Sequence, residues 1–137
     1  MSEDWNFLSP PRNPGCTLSS HEPDAALDNA QETTGSTSTG VGGGVIGVDT
    51  ATGRVRGFVV STGVDNANFA HIHTAARGVQ GNVTVPLEGG PDHWFVPDNA
   101  AALTPAQVAD FQAGNMYINL HNAAFPVGVI RGQLDVP

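Results

Sequence analysis

The architecture is legible first in the run Thr39-Gly40-Val41-Gly42-Gly43-Gly44-Val45-Ile46-Gly47-Val48-Asp49, followed by Thr50-Ala51-Thr52-Gly53 and then Arg54-Val55-Arg56-Gly57-Phe58-Val59-Val60-Ser61. The first part interleaves β-branched residues with glycine, Asp49 to Gly53 carries turn chemistry, and the last part alternates with a period of two. This pattern predicts a β-hairpin. Gly42, Gly43 and Gly44 weaken a strand unless a bulge or a close backbone approach requires them. Working outward, residues 66–74, 82–87, 116–121 and 129–136 read as further strands. Six or seven short antiparallel strands joined by glycine-rich turns predict an all-β fold, an antiparallel Greek-key sandwich or barrel.

One helix interrupts the β pattern. Thr104 can cap it, Pro105 suits its first position, Gln107 completes a capping box and Gly114 can end it. Leu103 and Val108 occupy the staple positions, and Val108 and Phe111 share a face. The reading is a short crossover helix near 104–113 with no catalytic group on it. Residues 1–23 contain Pro10, Pro11, Pro14 and Pro23 with little periodicity. They read as an extended N-terminal arm ahead of a β domain over 24–137, with Trp5, Phe7 and Leu8 available to pin the arm to the domain or to a second subunit as a homodimer.

A chain of 137 residues suits one domain and buries about two thirds of its unfolded surface, so it can build a core without disulfides. The single cysteine, Cys16, agrees, since no intrachain disulfide can form. Five arginines and no lysine stand against 13 acidic residues, a net charge of −8. A nucleic-acid partner needs a basic footprint and a membrane-surface module needs Lys/Arg clusters, so both classes are set aside. No apolar run approaches the ~20 residues of a membrane span. Met1 to Asp4 opens with acid rather than base, so no signal peptide is expected in these residues and the numbering suits a mature or trimmed form. Few charges and abundant small polar residues give the look of an exported β protein, secreted or periplasmic.

Five histidines supply the candidate chemistry: His21, His71, His73, His93 and His121. His71 and His73 form an H-x-H on the strand Phe69-Ala70-His71-Ile72-His73, where the period of two places both imidazoles on one face. His121 ends Met116-Tyr117-Ile118-Asn119-Leu120-His121, opposite the apolar face of Met116, Ile118 and Leu120. If these strands are neighbours, about 4.8 Å apart, the third imidazole can close a three-histidine site.

Such a set, without thiolate or carboxylate, suits copper, with zinc as the alternative, and leaves a coordination position open. The plainer reading, solvated histidines on a polar strand face, stays open beside it. Tyr117 and Asn119 share the His121 face and can orient ligands by hydrogen bonding. Glu32 and Arg131 are further supporting candidates, with Arg131 expected to pair with Glu32 or another carboxylate. His93 reads as a loop residue, His21 as a solvated arm residue and Met116 as core packing. No Ser-His-Asp order, P-loop or dinucleotide fingerprint supports acyl transfer or nucleotide chemistry.

Two blocks of the sequence resemble the CHRD (chordin) domain. Ala70-His71-Ile72-His73 followed by Gly78-Val79-Gln80-Gly81-Asn82-Val83 is similar to its A-H-I-H…G-x-x-G-x-V block. Gly114-Asn115-Met116-Tyr117-Ile118-Asn119-Leu120-His121, with Phe125-Pro126 and Ile130-Arg131-Gly132-Gln133-Leu134, is similar to its G-N-L-Y-V-N-V-H…P-G-E-I-R-G-Q-L block. Leu27-Asp28-Asn29-Ala30-Gln31-Glu32 resembles the opening L-x-G-x-Q-E. Val127-Gly128-Val129 departs from the family's G-E, and Thr33-Thr34 replaces its prolines.

The resemblance implies an immunoglobulin-sized β sandwich or barrel in an exported protein. The H-x-H also resembles the copper-ligand pair of Cu/Zn superoxide dismutases, and a third ligand from a distant strand would match His121. The dismutase's bridging histidine, zinc loop and disulfide have no counterpart here. The leading expectation is an exported protein holding one copper ion through His71, His73 and His121, for sequestration, delivery or type-2 redox chemistry. Two alternatives are a metal-free extracellular module docking a protein partner and a copper-only dismutase-like enzyme. The charge of −8 argues mildly against steering superoxide.

Overall fold

The structure, a computed structural model, describes residues 24–135. Nine strands and one helix follow in order: β1 (Asp24–Leu27), β2 (Val41–Val48), β3 (Val55–Thr62), β4 (Phe69–Thr74), β5 (Asn82–Pro86), β6 (Glu88–Gly89), β7 (His93–Phe95), α1 (Pro105–Gln112), β8 (Met116–His121) and β9 (Ile130–Gln133). They form two antiparallel sheets, β1-β2-β3-β7-β6 and β5-β4-β8-β9, packed as a sandwich. The predicted arm, with Trp5, Phe7, Leu8, Cys16 and His21, lies outside the described residues. No described helix is long and apolar enough to cross a membrane.

The period of two does the sorting. Ile46, Val48, Val59 and Trp94 from the first sheet meet Ala70, Ile72, Ile118, Leu120 and Ile130 from the second in one buried cluster. The predicted hairpin is β2–β3, with Gly44 opposite Val59 and Val48 opposite Val55. At its turn the Asp49 carboxylate accepts from the backbone N–H groups of Ala51 and Thr52. Within the Gly42-Gly43-Gly44 run of β2, Gly42 and Gly44 answer to close approaches, since a Cβ would lie 2.9 Å from the Val60 carbonyl oxygen at the first and 2.7 Å from Ile118 Cδ1 on the facing sheet at the second.

The helix forms within the predicted bounds. The Thr104 side chain accepts from the Gln107 N–H, Gln107 returns an acceptor to the Thr104 N–H, and Val108 and Phe111 are buried. The strand count exceeds the six or seven expected. β6 has two residues, and β7 has three beside the Gly89-Gly90-Pro91 loop signal, too short for periodicity to register.

The second sheet continues around to the first at one side. β1 pairs with β2 and is also bridged to the C-terminal strand, at Asp24–Asp135 and at Asp28–Arg131. The Asp28–Arg131 bridge consists of two backbone hydrogen bonds of 3.0 and 3.1 Å. This approach requires a glycine at 132, because a Cβ there would stand 2.7 Å from the Ala26 carbonyl oxygen and 2.9 Å from Leu27 Cγ. A Cβ at Gly43, by contrast, would come no closer than 3.9 Å to the Ala25 carbonyl oxygen. Gly132→Ala is therefore expected to lower unfolding free energy by about 1–3 kcal/mol. Gly43→Ala should leave it unchanged or raise it by about 0.4–1 kcal/mol, through the reduced freedom of the unfolded chain. Urea denaturation of the two variants side by side distinguishes them.

Candidate metal centre

β4 and β8 are direct neighbours, as the three-histidine reading requires, and their register places His71 opposite Asn119, His73 opposite Tyr117 and Phe69 opposite His121. The outward face of the second sheet thus carries Phe69, His71 and His73 on β4, Tyr117, Asn119 and His121 on β8, and Arg131 and Gln133 on β9. The core face of the same strands behaves as the alternation predicts, with Met116, Ile118 and Leu120 buried. On β8 and β9, and at His73, the outward face is buried as well, while Phe69 is exposed and His71 half-buried. Every residue of β8 and β9 is inaccessible or nearly so.

Three segments cover this face. Thr34, after a short 3-10 turn at Asn29–Gln31, donates to the Gly128 carbonyl. The loop after β4 brings the carbonyls of Ala75, Ala76 and Val79 over Arg131 and Gln133. The loop after β8 brings the Pro126 carbonyl to His121.

The three imidazoles converge at the centre of the face. His71 presents Nδ1, 3.0 Å from His121 Nε2, and His73 presents Nε2, 3.4 Å from the same His121 atom. The three donor atoms all lie within 4.8 Å of one another. The register explains the choice of nitrogen. His71 lies in the middle row and reaches the centre with its near nitrogen. His73 and His121 lean in from opposite ends and use their far ones.

The near nitrogens of the outer two are tied to backbone. His73 Nδ1 donates to the Gly81 carbonyl at 3.1 Å, and His121 Nδ1 donates to the Pro126 carbonyl at 3.0 Å. A carbonyl only accepts, so both Nδ1 atoms carry the proton, and in the neutral rings both Nε2 atoms are bare lone pairs. The 3.4 Å approach of these two nitrogens is then acceptor facing acceptor, with no proton to share. His71 Nδ1 can supply one proton to His121 or offer a third lone pair.

Burial keeps the rings neutral. His73 and His121 are 6% and 5% exposed. Desolvation pushes each of their pKa values down to about 4, with His71 adding to both shifts by charge repulsion. His71 is half-buried and lowered by desolvation too. A cation about 2.0–2.1 Å from each nitrogen separates neighbouring donors by about 3.3–3.6 Å in tetrahedral or trigonal geometry. The 3.4 Å between His73 and His121 matches that spacing and the 3.0 Å between His71 and His121 is slightly shorter, and a cation there would give a charge partner to lone pairs that otherwise oppose each other.

The supporting residues divide. Tyr117 stacks on His73 with rings 4.9 Å apart and 4° from parallel, and its hydroxyl accepts from the Gly81 N–H at 3.0 Å. Gly81 therefore holds His73 by its carbonyl and Tyr117 by its amide. Asn119 donates to the Ile130 carbonyl at 2.8 Å and to the Glu32 carboxylate. Burial raises the Glu32 pKa, opposed by Asn119, the Thr33 amide and the charge of Arg131.

The expected ion pair of Arg131 is corrected by the structure. Its guanidinium donates to the carbonyls of Val79 and Ala76 at 2.8 and 2.9 Å and to Gln133 Oε1 at 3.0 Å, with its carbon 3.5 Å from the Tyr117 ring centre. Carbonyl oxygens satisfy its fork because the covering loop, not a carboxylate, sits over it. His93 lies exposed on β7 against Asp92, and does not join the cluster. Gln133 escaped sequence reasoning. Its side-chain amide donates to the Ala75 and Gly114 carbonyls, which joins two loops. Its place two residues after Arg131, on the same strand face, was the available signal.

No curated protein and no solved structure matches the chain. The CHRD domain matches residues 24–134, which include every described strand and all three converging histidines. The chain belongs to the CHRD domain family.

Proposed function

We propose that the protein binds one metal ion through His71 Nδ1, His73 Nε2 and His121 Nε2, with copper the leading ion and zinc the alternative. The observation that carries this reading is the convergence of three neutral imidazoles, two of them locked in the tautomer that aims a lone pair at the centre. An all-imidazole set suits both ions, and imidazole affinity favours Cu(II) over Zn(II). Three protein donors leave a position open for water or a small ligand, as in catalytic rather than structural sites. Bound copper would supply a one-electron redox centre. The chain's own residues hold the donors, exclude bulk water from His73 and His121, and leave His71 as the half-buried side for exchange. That placement supports sequestration, delivery or redox chemistry, and the composition supports reading the protein as exported.

One site per chain with a dissociation constant below about 10 μM, or roughly −7 kcal/mol, is expected by calorimetry with Cu(II) or Zn(II). His71→Ala/His121→Ala should abolish it. Absence of binding of Cu(II), Zn(II) and the Cu(I) surrogate Ag(I) by the native chain would end the metal reading. Loading at a free-ion concentration 100 times the dissociation constant should add about 2.7 kcal/mol to stability, reversed by a chelator.

The pH dependence has a definite sign. The unfolded chain takes up protons on histidine near 6.5, whereas folded His73 and His121 do so only near 4. Between those values the unfolded state binds more protons, so the stability of the metal-free protein falls as pH drops from about 6.5 to about 4. Denaturant midpoints at pH 7, 5.5 and 4.5 test this. His73→Phe/His121→Phe should flatten the slope.

A second reading, an interaction module, is favoured by one feature. The outer face of the first sheet exposes Phe58 and Phe95, which are register partners 51% and 48% exposed, beside Val60. Self-association through this face is expected to vanish in Phe58→Ser/Phe95→Ser. A native chain that sediments as a monomer at all concentrations removes self-association through this face.

A further inference from the structure

The charge around the cluster bears on which ion it holds. The donors are three neutral imidazoles, and no carboxylate or thiolate among the described residues joins them within the 4.8 Å group. A divalent ion there keeps its full charge in a site where two of the three ligands are almost wholly inaccessible. The cost of burying charge grows steeply with its magnitude. Beside the site lies a fixed positive charge. Arg131, only 1% exposed, stacks 3.5 Å over Tyr117, which stacks face to face on His73 at 4.9 Å. Its guanidinium stays protonated at any working pH. The Glu32 carboxylate, tied to Asn119, offsets part of that charge from the same face.

We propose that the three-histidine site favours a monovalent soft cation, Cu(I), over divalent ions, and that Arg131 sets this preference through the Arg131–Tyr117–His73 stack. The inference rests on the metal-binding reading and adds the charge class of the ion. Arg131 touches neither the ion nor its ligands, so it is a positioning residue that acts by charge. The stack places the guanidinium roughly 10 Å from an ion at the cluster. At an effective dielectric of about 20, one unit charge at that range changes an equilibrium by about tenfold.

The test compares copper-loaded full-length native protein with Arg131→Gln, Arg131→Lys and Glu32→Gln by potentiometry, alongside competition between Ag(I) and Zn(II). Arg131→Gln is expected to shift the Cu(I)/Cu(II) affinity ratio about tenfold toward Cu(II), a fall of about 59 mV in potential for a one-electron couple. Arg131→Lys, which keeps the charge and loses the fork, should stay near the native value. Glu32→Gln should move the potential upward. The native site should retain Ag(I) against equimolar Zn(II).

If Arg131→Gln does not fold, the rise in Glu32→Gln supports the proposal, and no change or a fall overturns it. Unchanged potentials in both charge variants, or Arg131→Lys falling as far as Arg131→Gln, overturn it as well. Zn(II) held as tightly as Ag(I) overturns this inference alone. Binding of neither ion overturns the metal reading and this inference together.

Discussion

A buried arginine has five N–H donors to satisfy and a charge to keep, and the outward face of the second sheet is organised around meeting that demand. Arg131 draws the carbonyls of Ala76 and Val79 down over the sheet. The loop they belong to carries Gly81 into contact with both Tyr117 and His73. Tyr117 fills the space between the guanidinium and the His73 ring, so the position of one imidazole depends on a cation two side chains away. Gln133 repeats the device at smaller scale by bonding the Ala75 and Gly114 carbonyls. A hydrophobic residue at 131 would remove the donors that fasten this exposed loop to the sheet, and with them the anchor of the segment that carries Gly81.

The second tether is independent of the first. His121 is fixed from the opposite end by the Pro126 carbonyl, and its loop is fastened in turn by Thr34 and by Asn122, which accepts from the Phe125 N–H. The middle ring, His71, has no such tether among the described contacts and meets Phe69 in a stacked arrangement instead. Two donors are therefore preset and one is adjustable. Such a division lets a site bind without reorganising its framework while still admitting and releasing an ion.

Much of this was legible in the sequence. Strict alternation in Met116 to His121 gave that strand its bounds and told the core face from the histidine face. Capping chemistry around Thr104 placed the helix within a residue or two. The H-x-H and the lone His121 were enough to nominate the cluster, although their adjacency depended on β4 and β8 being neighbours. What periodicity could not show was the second layer over the histidines. A strand buried on both faces by loops keeps a polar face in its sequence, and polarity reads as solvent. Arg131 was misjudged for the same reason, since a carboxylate is the obvious partner for an arginine and a loop carbonyl has no sequence mark. β6 and β7 were lost to brevity, their pairing being a product of the tertiary fold.

The closing of the sandwich has a consequence for how the chain meets other chains. Strands at sheet margins with unmet backbone groups invite pairing with another molecule, and this protein is rich in the small residues that make registers slip. Its margins are short or engaged. β1 bonds to β2 on one side and is bridged to the C-terminal strand on the other. β6 is two residues long, and β5 ends in Pro86 before the chain crosses at Leu87 into the other sheet. The glycine-rich β2 lies shielded between β1 and β3. A protein so arranged resists edge-to-edge polymerisation without the lysine gatekeepers that its composition lacks.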